Sequence, residues 1–594
     1  MHRLAIFVPK CTPFKGTQKG SSPSHISTFT IVAIIFIFAT FFSDNSANAA
    51  PPVPAQIAPD AGALMLQMER GIQAPLPEAR PPETHPIQEL KSLNGLKVHV
   101  LFFRFQGNTL VSNQALTQYV KQWEGKDNTF EDLQNASIAV ANAYRDSGWV
   151  VRTYLPEQDV SKGVITIQVV EATLGKIIID KQGDVRLGDQ KIRNYVLDVQ
   201  PLGGYIKQSA MDRSLLIFQD LGLASVEGNL AKGDADSETD LILSLKSKPL
   251  LQWLVTADNY GSISTGVLRA NGTVSAHSLF GMADLTTVNY IHTEGSDYFR
   301  VEESIPIGFA GWQAGMYMAD FNFKNIDPTF KSLAIQGDSL SLGLFGTYPV
   351  IRSTERNLFV KFAGDHKMIS NQSMGVDTSN YTVDVASATF VGNQYDGIMG
   401  GGLTNASLSV FGGNVNYEGS ANQPSDSSGP KVAGFYVKML GSISRLQQIS
   451  GKNTLYANFS AQLASKNLDS SEQFYLSGPY AVRGYSSAAG CSEGFLINLE
   501  LRHAFTDYLT FAGFYDYGQG TVNKDNNFAG GAIVNNYSLS SAGLSLAVND
   551  FYGFNGSLAW SHRIGDNPLR LASGQDPDGT LQLDKFWLTI SYPF

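Results

Sequence analysis

Few residues of this 594-residue chain are spaced for covalent chemistry. Gly490-Cys491-Ser492-Glu493-Gly494 matches the G-x-S-x-G pattern of a nucleophile elbow. An elbow needs a strand, a sharp turn and then a helix to expose its serine hydroxyl. Here a strand-like segment follows Gly494, so the pattern reads as a turn entering a strand. Gly451-Lys452 is no phosphate loop, because Asn453 replaces the required Ser/Thr and the upstream glycine is missing. No His-Glu-x-x-His pair occurs, and the nine histidines are scattered. The two cysteines, Cys11 and Cys491, cannot build a disulfide framework or a thiolate zinc site. The expectation is no enzyme, no metal and no cofactor. A net charge of −10 without a basic stripe also argues against nucleic acid. The most informative stretch is non-catalytic: Ser471 to Tyr485 lies between two strong strands in a long loop, about 468–493, rich in glycine and aromatics.

The elements around that loop fall into distinct regions. Residues 1–49 read as a secretory signal peptide, with Arg3, Lys10, Lys15 and Lys19 ahead of an apolar run from Phe29 to Phe42 and small residues at Ala47-Asn48-Ala49. Residues 50–96 carry two proline-rich stretches, which resist packing and read as linkers. Between them, residues 60–71 read as a short helix capped by Asp60 and ended by Gly71, with Leu64, Met65, Met68 and Ile72 on one face. So short a helix is marginal alone in water, so it is expected to dock.

Residues 97–173 and 174–247 repeat one order, β-α-α-β-β. In the first copy, Phe130, Leu133, Ala136, Val140 and Tyr144 recur at helical spacing; in the second, Met211, Leu215 and Phe218 do. From residue 248 to 594 helical patterning disappears. Segments of about ten residues alternate apolar and polar side chains between Gly/Asn/Asp/Ser turns, the pattern of an outer-membrane barrel with lipid outside and a wet lumen inside. Leu455, Ala457, Phe459, Ala461 and Leu463 oppose Asn458, Ser460 and Gln462 in one such segment. About 16 strands are expected, an even number as closure of an antiparallel barrel demands. The last, Phe586 to Phe594, puts Phe586, Leu588, Ile590, Tyr592 and Phe594 on one face. Such an edge would aggregate unless it closed on another strand, here Leu251–Tyr260.

Val482-Arg483-Gly484-Tyr485 resembles the Val-Arg-Gly-Tyr signature of two-partner secretion transporters, a branch of the outer-membrane assembly and transport superfamily. The order of helix, linker, duplicated units and barrel is similar to that family's plug helix, linker, two polypeptide-transport-associated (POTRA) domains and 16-stranded barrel. The resemblance implies that the loop folds back into the barrel and that its arginine meets an acidic residue on a nearby strand. The matching segment is Phe511 to Gly518. If Leu509, Phe511, Tyr515 and Tyr517 face lipid, Asp516 faces the lumen. A guanidinium can hold a carboxylate by two parallel hydrogen bonds, and Gly484 would let the loop tip turn tightly. On residue types alone, an exposed loop arginine and a lone lumenal aspartate are the favoured reading; the resemblance reverses that preference.

The resemblance further implies an outer-membrane pore with periplasmic POTRA domains, exporting one large β-rich exoprotein without nucleotide. Expected partners are that client, membrane lipid, the barrel assembly machinery and periplasmic chaperones. Trp587, Tyr592 and Phe594 are the residues expected to carry a C-terminal assembly signal. An assembly factor for other membrane proteins is the alternative, and a solute porin is a third reading that leaves the duplicated units unexplained.

Overall fold

The computed structural model describes residues 60–72, 76–81, 97–486, 490–571 and 573–594. The expected signal peptide and most of the linker lie outside the described residues. The duplicated order is present, with one addition. In the first unit the opening strand is two strands, Lys97–Val100 and Phe102–Gln106. The first of these pairs with a short strand between the helices, Lys126–Thr129. The second joins a sheet with Val164–Glu171 at its centre and Val151–Tyr154 beyond.

Helices Asn113–Val120 and Phe130–Asp146 cover that sheet. The second helix begins with a reciprocal cap. Thr129 Oγ1 accepts from the Asp132 amide at 3.2 Å, and Asp132 Oδ2 accepts from the Thr129 amide at 2.9 Å. Leu133, Ala136, Val140 and Tyr144 are buried as their spacing predicts. Phe130, the first residue of the helix, is exposed instead of buried. The second unit has helices Asp189–Leu197 and Gln208–Asp220 on a sheet ordered Thr173–Gln182, Glu238–Ser247, Ala224–Lys232.

Backbone hydrogen bonds fuse the units. The amides of Val150, Ala172 and Ile206 donate to the carbonyls of Ile206, Val150 and Ala172 respectively. Glu171, at the end of the first unit's central strand, is buried there. Burial opposes its ionisation. The Leu110 and Thr109 amides at 2.7 and 2.6 Å, the Thr109 hydroxyl and the Tyr144 hydroxyl donate to it and outweigh burial, holding the carboxyl below its ordinary range. Its stabilisation is therefore complete above the unfolded value, near about 4.3, and is lost as pH falls through the lower folded value. Between pH 6 and pH 3.5 the parent should lose more protease resistance in urea across residues 97–172 than Glu171→Gln, which has no carboxylate there to protonate. An equal loss in both would contradict that role.

Sixteen antiparallel strands then close into a barrel, each paired to the next and the last to the first. Strand 1 is Leu251–Asp258 and strand 16 is Asp584–Pro593. The terminal strand thus finds the expected partner, and the barrel has no open edge. Alternation is kept. On strand 13, Leu509–Thr521, the side chains of Ala512, Phe514 and Asp516 are buried inside, while Phe511 is exposed outside. The second unit caps the periplasmic end. Arg352 holds Asp220 with two bonds of 2.8 and 2.7 Å, and Arg213 Nη2 donates to the Pro349 carbonyl at 2.7 Å.

The short helix, Ala61–Glu69, docks inside the barrel. Asp60 caps it, accepting from the Ala63 amide at 3.1 Å. The lumen is less watery than alternation alone predicts. Ile291, Tyr298, Phe321, Ile369, Tyr381 and Val383 point inward and pack with Leu64, Met65 and Met68. This inner patch explains the helix's Met- and Leu-rich face: it is a core interface between helix and wall.

Candidate functional site

The connection between strand 11 (Asn453–Ala464) and strand 12 (Glu493–Ala504) leaves the outer end of the barrel and folds back into it. A short hairpin, Phe474–Tyr475 against Gly490–Cys491, stiffens its stem. The chain between them doubles back through a bridge from Ser477 to Val482 and an amide of Val482 donating to the Leu476 carbonyl at 2.9 Å. Val482 and Tyr485 are buried on either side of the tip.

The tip is Arg483. Its Nε and Nη2 donate to Asp516 Oδ2 and Oδ1 at 2.9 and 2.7 Å, the parallel two-bond geometry. Nη1 reaches Glu500 Oε1 of strand 12 at 2.8 Å. The guanidinium lies 3.5 Å above the Phe514 ring, a cation–π contact strengthened by the lack of water. Asp516 is fully buried. It also accepts from the Arg483 amide at 3.1 Å, Asn498 Nδ2 at 2.8 Å and Ser541 Oγ at 3.3 Å. Glu500 is shared with Arg502, whose Nε donates at 2.8 Å. The guanidinium is thus held by two carboxylates and an aromatic face, all on the adjacent strands 12 and 13. A buried pair of this kind contributes little net stability, but breaking it from one side leaves a costly unpaired charge. It is a device for fixing position.

Gly484 serves a different need from the turn expected. Its backbone is outside the left-handed region. It is required by space: a Cβ would lie 2.7 Å from Ser541 Cβ and 3.0 Å from Arg563 Cα. Trp587, grouped above with the terminal residues Tyr592 and Phe594, points the other way. It is buried in the lumen, and its indole Nε1 donates to the Arg483 carbonyl at 2.8 Å. Tyr592 and Phe594 lie on the opposite, outer face of strand 16.

Sequence reasoning missed a second anchor. Glu472 is buried at the start of the loop, with its carboxylate between Lys367 of strand 7 (Arg356–Ser373) and Lys438 of strand 10 (Gly434–Ser450), both at 2.7 Å. Nothing near Glu472 in the chain marks it, since both lysines come from distant strands. Trp587 did carry a signal: it has odd parity on a strand whose even positions face lipid. Cys491 is buried with Sγ 3.2 Å from Tyr537 Oη, and the glycine-rich pattern around it forms the loop stem.

Loop and plug touch. Ser470 Oγ donates to Asp60, and Arg70 Nη1 donates to the Tyr475 carbonyl at 3.3 Å. Beside them a cavity of about 930 Å³ opens between plug helix, loop and the first and last strands, lined by Arg70, Tyr260, Tyr480 and Phe586 among others. Among the described residues no cluster of His, Cys, Asp and Glu is placed to hold a metal.

A closed 16-stranded barrel, an α+β periplasmic arm, a helix in the bore and a loop pinned from within define an outer-membrane transporter of the POTRA-barrel class. Residues 237–547 match the family model described as haemolysin secretion/activation protein ShlB/FhaC/HecB, and residues 99–172 match the ShlB-type POTRA domain. The chain belongs to the haemolysin secretion/activation family. It is 25% identical over 469 residues to the heme/hemopexin transporter protein HuxB of Haemophilus influenzae, covering 76% of this chain and 81% of that relative. It is 23% identical over 418 residues to the outer membrane transporter CdiB of Dickeya dadantii, covering 67% and 71%. Among solved structures, CdiB from Escherichia coli superposes with a TM-score of 0.65 at 17% identity, over 91% of this chain and all of that one. BamA from Haemophilus ducreyi lacking POTRA domains 1–3 gives 0.51 at 14% identity, over 84% of this chain and all of that one, a likeness of fold. The protein is an outer-membrane two-partner secretion pore that exports a large exoprotein, with its POTRA units in the periplasm.

Proposed function

We propose that the loop tip Val482-Arg483-Gly484-Tyr485, latched on Asp516, holds the pore shut until a specific client arrives. The single observation that carries this reading is the two-bond Arg483–Asp516 pair inside the lumen. It is non-covalent, it fixes a loop across the bore, and its loss releases the loop tip while the main-chain ladder still closes the barrel. The client is a β-rich exoprotein of the adhesin, haemolysin or contact-dependent toxin kind. Residues 97–173 and 174–247 act as two POTRA domains that receive it. Their sheets leave edges at Phe102–Gln106, Val151–Tyr154 and Ala224–Lys232, with Phe102, Tyr154 and Leu230 exposed on them. An extended segment adds to such an edge by main-chain hydrogen bonds that demand little sequence.

Residues 248–594 then conduct the client once plug and loop have shifted, and stepwise folding outside biases the movement. Periplasmic chaperones keep the client extended beforehand. The barrel assembly machinery inserts the pore by reading its last strand, with Tyr592 and Phe594 outside and Trp587 inside. Removing residues 97–247 is expected to leave a barrel that inserts, while client export falls to background and the client no longer co-precipitates. Specific co-precipitation by the shortened chain would overturn the role of the periplasmic units.

A further inference from the structure

We infer that the inserted loop also clamps the joint between the first and last strands, with Trp587 as the positioning residue. This joint has the shortest ladder in the barrel. It pairs Thr589–Pro593 with Leu254–Asp258 and continues by one main-chain contact at each end, Trp253 with Phe594 and the Asn259 amide to the Leu588 carbonyl, where the neighbouring joints pair eight residues each. Two side-chain devices extend it. Asn259 imitates a strand residue: its Nδ2 donates to the Phe586 carbonyl and its Oδ1 accepts from the Leu588 amide, both at 2.8 Å. The loop supplies the second device from inside.

Trp587 of strand 16 donates its indole N–H to the Arg483 carbonyl. Its ring stands edge-on to Tyr260, just beyond strand 1, with centroids 5.8 Å apart. Tyr260 in turn meets Tyr480 of the loop edge-on at 5.5 Å. Arg269 closes the cluster, with its guanidinium 5.6 Å from the Tyr260 ring centroid and two bonds to Asp258 at 2.7 and 3.0 Å. The loop therefore touches both sides of the joint through Arg483 and Tyr480. The arginine that fixes the loop on strands 12 and 13 presents its own carbonyl to strand 16. Loop position and joint stability are one coupled equilibrium, so withdrawing the loop loosens the joint and a loosened joint loosens the loop.

The test is amide hydrogen exchange on the full-length protein in lipid nanodiscs, without client. Trp587→Phe keeps the ring and removes the donor. Exchange in segments 254–259 and 588–593 should rise roughly three- to tenfold, the equilibrium factor of one net hydrogen bond, with strand 6 (Gln336–Arg352) and strand 7 unchanged. Tyr480→Ser, which alters only the loop, should raise exchange in the same segments. Trp312→Phe, on strand 5 (Trp312–Lys324) and away from the joint, should not. Unchanged exchange at the joint in both test variants overturns the clamp, as does a uniform rise around the whole barrel. Because no client is present, a negative result leaves the export reading untouched.

Discussion

Replacing Arg483 by alanine should abolish or severely reduce export while the barrel still folds and inserts. The variant leaves Asp516 fully buried with only Asn498 and Ser541 as side-chain donors. Breaking a buried pair from one side costs about 3–5 kcal/mol. At about 1.4 kcal/mol per factor of ten, the seated loop loses roughly two to three and a half orders of magnitude against displaced arrangements. The barrel still closes, because its strands are joined by the main-chain ladder, and the loosening is confined to the joint between strands 1 and 16. Arg483→Lys should rescue poorly, since an ammonium is a point charge without the fork that spans Asp516 and Glu500. Secretion of the client into the medium and the heat-modifiable mobility of the folded barrel are the paired measurements. Normal secretion by the alanine variant would remove the loop from the mechanism.

The second large effect is electrical. Deleting residues 51–86 removes the helix that lies across the bore, and an α-helix with side chains is about 10–12 Å wide. Its space is polar at one end, where Asn371 and Ser470 surround Asp60, and apolar along Leu64, Met65 and Met68. Water and ions should enter once it is gone. Single-channel conductance in planar bilayers should rise several-fold, with openings longer than those of the intact chain. The anchors at Glu472 and Arg483 do not involve the helix directly, so the loop should stay in place and limit the rise. An unchanged conductance would mean that the helix does not obstruct the pore.

The barrel and its orientation were legible because strand parity is a local property. Leu509 to Tyr517 alternates clearly enough to aim Asp516 inward, and residues 586–594 alternate clearly enough to require a partner strand. The duplicated helices were legible from 3.6-residue spacing. The contacts that fix the loop were not, because they are products of register. Whether Arg483 meets Glu500, Asn498 or Ser541 depends on how strands 12, 13 and 14 (Asn536–Phe551) slide past one another, and no short window of sequence records that. Glu472 is the sharpest case, since its lysines are 105 and 34 residues away. The watery lumen failed as an expectation for a related reason. Alternation says which side chains point in, and the docked helix decides that several of them should be apolar.

The central claim is that the client travels through the bore of residues 250–594, with the lipid face outside. A photoreactive side chain placed at Val267, which lines the lumenal cavity, or at Phe459, exposed on the outer face of strand 11, tests it in cells whose client is arrested in transit. The account predicts a client adduct from Val267 and none from Phe459. An adduct from Phe459 with none from Val267 would contradict it.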